Sequence, residues 1–189
     1  LPFTTQEIDA LNAYREQGGS LLIALRPARS HTADMSGLLE PLGLEFDGNR
    51  TLAHSNYFYP VIKGPIAQYF IYTTSYTTHS SVSLLSKQKA NSRQLIMPFS
   101  GVLTQIEGSE ASPQEAIKSM AETFGETDKV PNFDSELESK SIYSLGFAVS
   151  GPAADGGMVE GTEEPKEWRV FVTAGSNWIS DAFITGHGG

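Results

Sequence analysis

The chain has no cysteine among its 189 residues. This absence excludes disulfides, thiolate catalysis and metal sites with cysteine ligands. The chain also lacks an apolar run of about 18 residues, so the sequence predicts no membrane-spanning helix. The HExxH pattern of zinc peptidases and the GxSxG turn of α/β hydrolases are absent as well. The sequence therefore predicts no catalytic residue, no cofactor and no bound metal.

Negative charge is missing from a long stretch of the chain. Residues 48–106 contain no Asp or Glu, although the whole chain has a net charge of −9. Residues 107–189 carry 15 acids against five bases. The net charge argues against nucleic acid as a partner, because its binding depends on Lys and Arg contacts to phosphate. Two interpretations of the asymmetry stay open: two differently solvated faces, or a mildly basic face for an anionic partner or membrane surface.

The first 25 residues predict a helix, a stop and a strand. Thr4 and Glu7 have the spacing of a capping box, which satisfies free backbone N–H groups at a helix start. Gly18 and Gly19 supply the left-handed conformation that ends helices. Residues 21–25 are apolar without alternation, which is typical of a strand covered on both faces. One apolar stripe of the helix is predicted from Ile8, Leu11 and Tyr14.

The rest of the chain continues this pattern of strands and helices. Turn chemistry is predicted at 47–49, a turn into a short helix at 77–85, and a longer helix at 113–124. Further strands are predicted at 44–46, 68–74, 94–99, 102–106, 142–149 and 168–174. The sum favours an α/β fold with a parallel-rich sheet and helices on both faces.

The length of the chain predicts a single α/β domain over residues 1–189. Two acidic, loop-rich insertions are expected within it, at 107–141 and 151–167. Because the chain begins immediately before a helix, we expect the N-terminal strand of the sheet to be missing. We therefore expect the chain to be a fragment of a longer protein.

Two loops at strand ends contain candidate ligand-binding residues. Arg26 follows the first strand, while Gly175 and Ser176 follow the last one. Sheets of the α/β class place ligand loops at the carboxyl ends of their strands. A glycine and a serine before a helix can present N–H groups to an anion. The alternative is ordinary strand-to-helix turn chemistry.

The histidines and one aromatic cluster leave further alternatives open. No two of the four histidines have the sequence spacing of metal ligands; they are His31, His54, His79 and His187. His79 precedes two serines, so a degenerate α/β hydrolase is one alternative, and its test is spatial geometry. Residues 57–59 (Tyr-Phe-Tyr) suggest another, a carbohydrate- or peptide-binding module.

Four segments, in order along the chain, resemble a known family. They are residues 3–22, with the helix and its two glycines; 78–82, around His79; 119–128; and 169–180. Together they look like the auxiliary domain of uncharacterised ABC-type transport systems, typified by the gliding-motility protein GldG. The helix–glycine–strand unit is also shared by flavodoxin-like and class I glutamine-amidotransferase-like sheets.

The resemblance implies a location and partners for the chain. It implies a non-enzymatic, periplasmic or otherwise extracytoplasmic domain, anchored to the membrane by segments outside this chain. Its partners would be the permease and ATPase subunits of an ABC transporter, in gliding motility or surface export. It would act by protein–protein contact or by capture of a small ligand. The sheet would be amidotransferase-like without that chemistry, and the candidate ligand-binding residues are Arg26, His79, Gly175 and Ser176.

Overall fold

A computed structural model describes residues 3–27, 34–56, 63–159, 161–162 and 164–181. Its α-helices are α1 (Thr5–Glu16), α2 (Ser36–Leu39) and α3 (Ser83–Ser86). Short 3-10 turns occupy Glu40–Leu42, Pro65–Tyr69, Ala90–Ser92 and Asn177–Ile179. The strands are β1 (Ser20–Ala24), β2 (Leu44–His54), β3 (Phe70–Thr73), β4 (Ser75–Tyr76), β5 (Leu95–Pro98), β6 (Gly101–Gln105), β7 (Gln114–Lys118), β8 (Thr123–Glu126), β9 (Ser144–Pro152) and β10 (Glu167–Thr173).

The main sheet is mixed and mostly antiparallel. Its strand order is β1-β10-β9-β6-β2-β8, with β7 paired to β9 and β4 paired to β7. Among the described residues, β1 and β10 form the one parallel pair, and every other pairing is antiparallel. The predicted parallel-rich sheet of flavodoxin-like or amidotransferase-like type is therefore wrong. The expectation of a missing first strand depended on that architecture and loses its basis.

One part of the error lies in the segment predicted as a helix at 113–124. This segment forms β7 and β8 instead, joined by a turn in which Glu122 has a φ of 69°. Parallel strands need long crossover connections, usually helical, whereas antiparallel strands can be joined by tight turns. Replacing the expected helix by two strands thus removes the crossover that a parallel sheet requires.

The predicted capping box of the first helix is confirmed, but its buried side is different. The Thr4 backbone N–H donates to the Glu7 carboxylate at 2.7 Å, and the Glu7 N–H donates to the Thr4 hydroxyl at 3.3 Å. Gly18, with a φ of +89°, follows the helix as expected. Tyr14 of the predicted apolar stripe is 52% exposed, whereas Arg15 is buried. The Arg15 guanidinium lies 5.1 Å from the centre of the Trp168 ring, so α1 contacts the sheet through a cation–π pair.

The predicted turn at 47–49 lies inside β2. The strand runs for 11 residues, and its pairing with β6 shifts register between Asp47 and Thr51. The Asn49 N–H donates to the Asp47 carboxylate at 2.9 Å. This local hydrogen bond is the one expected of a turn. The segment is nevertheless a bulge within β2, because the residues on both sides of it remain paired to β6.

Each face of the main sheet has its own core. The helical face, on which α1 and α2 lie, buries Leu25, Leu39, Leu42, Leu44, Leu103, Phe147, Val149, Val170, Val172 and Ala174. The opposite face is covered by α3 and by the two-stranded sheet β3–β5, and its core comprises Leu52, Ile71, Val82, Met97, Val102, Ala116, Ile117 and Leu145. In the described part of the chain, no helix is both long and apolar enough to cross a membrane.

The first strand is not covered on both faces as predicted. Leu21 and Ile23 contact the core of the helical face. Leu22 points to the opposite face and is 61% exposed. The layer formed by α3 and β3–β5 therefore ends before it reaches β1.

Candidate functional site

The parallel pair brings two of the predicted loops to the same edge of the sheet. The Leu25 N–H donates to the Thr173 carbonyl at 3.0 Å, so β1 and β10 end side by side. Arg26 follows Leu25 and is exposed, while Gly175 follows β10 and is buried. The structure thus places Arg26 near Gly175 and Ser176, as expected from strand ends.

The surroundings of Gly175 indicate a packing role. Its carbonyl accepts hydrogen bonds from the Trp178 indole N–H and the Thr173 hydroxyl, both at 2.9 Å. A Cβ at this position would lie 2.7 Å from the Ser100 hydroxyl oxygen, so only glycine fits without a shift. Ser176 is half-buried and precedes the three-residue turn Asn177–Ile179. These contacts are those of a tight strand-to-turn connection, the alternative that the sequence left open.

His79 lies in a different place, in a cleft on the sheet face opposite α1 and α2. It does not join Arg26, Gly175 and Ser176, because the cleft is at the amino-terminal ends of β1 and β10. The volume of the cleft is about 670 Å³. Its lining comprises Ser20, Leu21, His79, Ser80, Ser81, Ala148, Val149, Ser150, Glu167, Arg169, Val170 and Phe171.

The imidazole of His79 is held by a local turn. Its Nδ1 accepts the Ser81 backbone N–H at 3.2 Å and lies 2.8 Å from the Ser81 hydroxyl oxygen. Because a backbone N–H can only donate, Nδ1 is the acceptor in the first of these two contacts. The backbone N–H of His79 donates in turn to the Thr77 hydroxyl at 3.3 Å.

This geometry is incomplete for a serine hydrolase. A serine–histidine pair needs an acid that orients the second ring nitrogen. Within the described ranges, no hydrogen bond from Nε2 of His79 to a carboxylate is present. The His79–Ser81 contact also joins residues two apart and closes a turn. The hydrolase alternative therefore lacks its third group in the part of the chain that the structure describes.

The cleft combines a polar rim with an apolar floor. Arg169 lies 3.5 Å from Glu167, and the Arg169 side chain is 74% exposed. Phe171 and Ala148, which are register partners, form the floor. Four serines belong to the lining, namely Ser20, Ser80, Ser81 and Ser150. Such a lining suits a polypeptide segment, which offers both hydrogen-bonding groups and apolar side chains.

The remaining histidines and the aromatic cluster do not add to this cleft. His54 is buried; its Nδ1 accepts the Asn56 N–H at 3.0 Å and its Nε2 lies 2.6 Å from the Ala121 carbonyl oxygen. His31, His187 and residues 57–59 lie outside the described residues. Among the residues that are described, no group of three acidic or histidine side chains could hold a metal ion.

Sequence reasoning missed the residues that give β1 and the cleft their character. Leu22 belongs to an apolar run that is typical of a buried strand. Ser20 and Arg169 belong to no recognisable sequence motif. Their proximity depends on the register Ser20↔Arg169 and Leu22↔Phe171 between strands almost 150 residues apart. The unbroken apolar run is the one signal that could have drawn attention to this strand.

Comparison with known proteins adds a fold relationship. No family model and no curated protein matches the chain. A solved structure described as "mmIFT52 N-terminal domain" is similar to it, with a TM-score of 0.58 and 13% sequence identity. The likeness covers 97% of this chain, and the chain spans 65% of the length of that structure. At this identity, the likeness shows that the two share a fold.

Proposed function

We propose that this chain is a non-enzymatic binding domain that acts by protein–protein contact. The observation that supports the proposal is the exposed sheet surface at β1. Leu22 is 61% exposed at a strand that ends the main sheet of the described residues. Leucine side chains lose stabilisation when they stay in water, and unpaired strand edges favour association. A partner that covers this surface would bury the Leu22 side chain and pair the strand edge.

The partner that we propose is an ABC transporter complex, in which the chain is an extracytoplasmic accessory domain. This step depends on the resemblance to GldG-like auxiliary domains carried by residues 3–22, 78–82, 119–128 and 169–180. Permease and ATPase subunits would be its partners through the full-length protein, and gliding motility or surface export its context. Arg26, at the opposite end of β1, is exposed and would be available for such contact, whereas Gly175 is buried and Ser176 is half-buried.

The test is affinity purification of the full-length parent protein from detergent-solubilised membranes. We expect a permease and an ATPase to be recovered with it in stoichiometric amounts. Recovery of the protein alone, under conditions that preserve known membrane complexes, contradicts the transporter assignment.

A matched pair of variants shows whether the β1 surface makes the contact. Leu22→Asp places a charge on the exposed strand, and Leu137→Asp places the same charge at a leucine that is 81% exposed in a distant loop. We expect Leu22→Asp to release the transporter subunits and Leu137→Asp to retain them. Equal retention by both variants would locate the contact elsewhere on the protein.

A second candidate function is capture of a ligand in the His79 cleft. The observation that favours it is the combination of an apolar floor with serines and Arg169 at the rim. The carbohydrate- or peptide-binding alternative at residues 57–59 stays a prediction. Of the two ligand classes, a peptide suits the cleft better, because the cleft adjoins the edge of β1 that no other described strand pairs with.

A further inference from the structure

Within the described residues, the backbone of β1 has one row of N–H and C=O groups that face no pairing strand. The Arg169 N–H donates to the Gly19 carbonyl, and the Leu25 N–H donates to the Thr173 carbonyl. Odd-numbered residues of β1 therefore direct their N–H and C=O groups toward β10. Since these directions alternate along a strand, the groups of Ser20, Leu22 and Ala24 point away from the sheet. We call this row of three residues the open edge.

The open edge lacks the features that normally prevent strand pairing. Protected edges carry Lys or other charges, prolines, or bulges. The sequence of β1 is Ser-Leu-Leu-Ile-Ala, without charge or proline, and its pairing with β10 is continuous. In the described part of the chain, no strand pairs with its outer side. The edge is thus ready to accept another extended backbone.

The side chains of the open edge share a face with the cleft. Leu21 and Ile23 contact the core of the helical face, so Ser20, Leu22 and Ala24 project from the opposite face. Ser20 lines the cleft together with Arg169 and His79. An added strand would place every second side chain on this face, beside Leu22 and at the mouth of the cleft.

We propose that the open edge binds an extended segment of a partner protein as an additional antiparallel strand. An apolar side chain of that segment lies opposite Leu22, and the side chain two residues later lies opposite Ser20, where Arg169 and the cleft accept a polar group. Main-chain hydrogen bonds supply affinity and the alternate side chains supply specificity. This inference deepens the proposed function, because it states how the partner is held.

A second copy of this chain fits the open edge less well than a partner segment. Pairing β1 with β1 of another copy joins two strands of five residues. Centred on Leu22, that antiparallel pairing sets Ala24 of one copy opposite Ser20 of the other, so no polar side chain reaches Arg169 and the cleft. Each copy also has a net charge of −9, so two copies repel each other. An extended segment of another sequence can supply a polar side chain at that position.

The test uses the 189-residue chain and a synthetic nine-residue probe peptide. The probe alternates Val and Thr and has a Lys at each end for solubility; its control carries N-methyl groups on alternate backbone nitrogens, which removes donors at equal charge. We expect the probe to bind and its methylated control to bind at least about tenfold more weakly. Equal binding of the two peptides overturns the strand-addition mechanism.

Amide hydrogen exchange locates the added strand residue by residue. The N–H groups of Leu21 and Ile23 are bonded to β10 and should exchange slowly with or without the probe. Those of Leu22 and Ala24 should exchange fast in the free chain and slow down when the probe is bound. Slowing in another strand, with Leu22 and Ala24 unchanged, overturns the assignment to the open edge.

A proline substitution separates backbone pairing from side-chain contact. Leu22→Pro removes an N–H that points away from β10, so it breaks no bond within the sheet. We expect about a tenfold or greater loss of probe affinity. A thermal melt checks that Leu22→Pro is folded, and Leu22→Asp serves as a second variant if it is not. Leu137→Asp should bind the probe like the unmodified chain. Unchanged affinity in a folded Leu22 variant overturns the proposal.

Two further outcomes separate this inference from the proposed function. Probe binding without recovery of transporter subunits would leave the open edge established and the transporter assignment refuted. Recovery of the subunits by Leu22→Pro would support the transporter assignment and refute the open edge as the contact. Sedimentation of the free chain as a dimer that Leu22→Asp dissociates would show that the occupant is a second copy, and would overturn the partner segment.

Discussion

Replacing Glu126 by glutamine tests how the acidic segment after β8 is held. Glu126 is 2% exposed. Its two carboxylate oxygens accept the backbone N–H groups of Asp128 at 2.6 Å and Asn132 at 2.9 Å. Both bonds involve a charged acceptor, which makes them stronger than bonds between neutral groups. Each is worth about 1.5–3 kcal/mol.

Glu126→Gln keeps one acceptor oxygen and loses the other. The amide NH₂ then meets a backbone N–H, so one buried donor stays without a partner. We expect the free energy of unfolding to fall by about 2 kcal/mol, because an unsatisfied buried group costs about 1–3 kcal/mol. For a chain of this size, the melting temperature should fall by about 4–8 °C.

The assay is urea unfolding followed by circular dichroism, with thermal melting as a second measurement. Glu136→Gln is the matched control, since Glu136 is exposed and the substitution removes the same charge. The control should stay within about 0.5 kcal/mol of the unmodified chain. If Glu126→Gln is as stable as Glu136→Gln, the two backbone hydrogen bonds do not hold this segment, and the reasoning is refuted.

Other substitutions test the first helix and a surface ion pair. Thr4→Ala removes the capping hydroxyl of α1 and should cost about 1 kcal/mol in urea unfolding; equal stability would show that the cap contributes nothing. Gly18→Ala puts a Cβ on a backbone with a φ of +89°, which should cost about 1–2 kcal/mol in the same assay. Burial, the largest single influence, raises the pKa of Glu115, but hydrogen bonds from Lys118 and Ser144 together outweigh it and leave the pKa below 4.5. The resulting stabilisation is present above about pH 4.5 and is lost as the pH falls through the lowered pKa of the folded state. Glu115→Gln should therefore weaken the acid dependence of unfolding, and an unchanged dependence between pH 6 and pH 3 would contradict this.

The first helix was predictable because everything that forms it is close in sequence. The capping box joins Thr4 to Glu7, and Gly18 ends the segment through its own conformational freedom. The positions of β6, β9 and β10 were also foreseen, since short apolar and β-branched runs predict strands wherever they stand. Local composition was enough for these elements.

The prediction failed where the same pattern fits two structures. Apolar residues at 117, 120, 121 and 124 suit a helix, yet this segment folds as β7, a turn and β8. β7 pairs with β9, and β8 pairs with β2. These tertiary contacts favour strands and override the weak local preference for a helix. This exchange removed one of the helical crossovers that the predicted parallel sheet needs, and the antiparallel pairing of β9 with β10 contradicts that sheet independently.

The candidate sites show the same division between local and distant information. Arg26 and Gly175 were expected at strand ends, and both are found there. That His79 lies apart from them, in a cleft with Ser20 and Arg169, depends on contacts between distant segments. No sequence spacing predicts that these distant residues lie close together.

The sequence by itself determined the local elements of this protein: a capped first helix, several strands and the acidic character of its second half. The tertiary structure alone decided which strands pair, and therefore that β1 lies at the end of the sheet that the described residues form, with Leu22 exposed. The physical reason is that strand identity is set by neighbouring side chains, whereas an edge is defined by the absence of a second pairing strand. The apolar sequence of β1 predicts a buried strand, but the position of β1 in the sheet leaves Leu22 exposed.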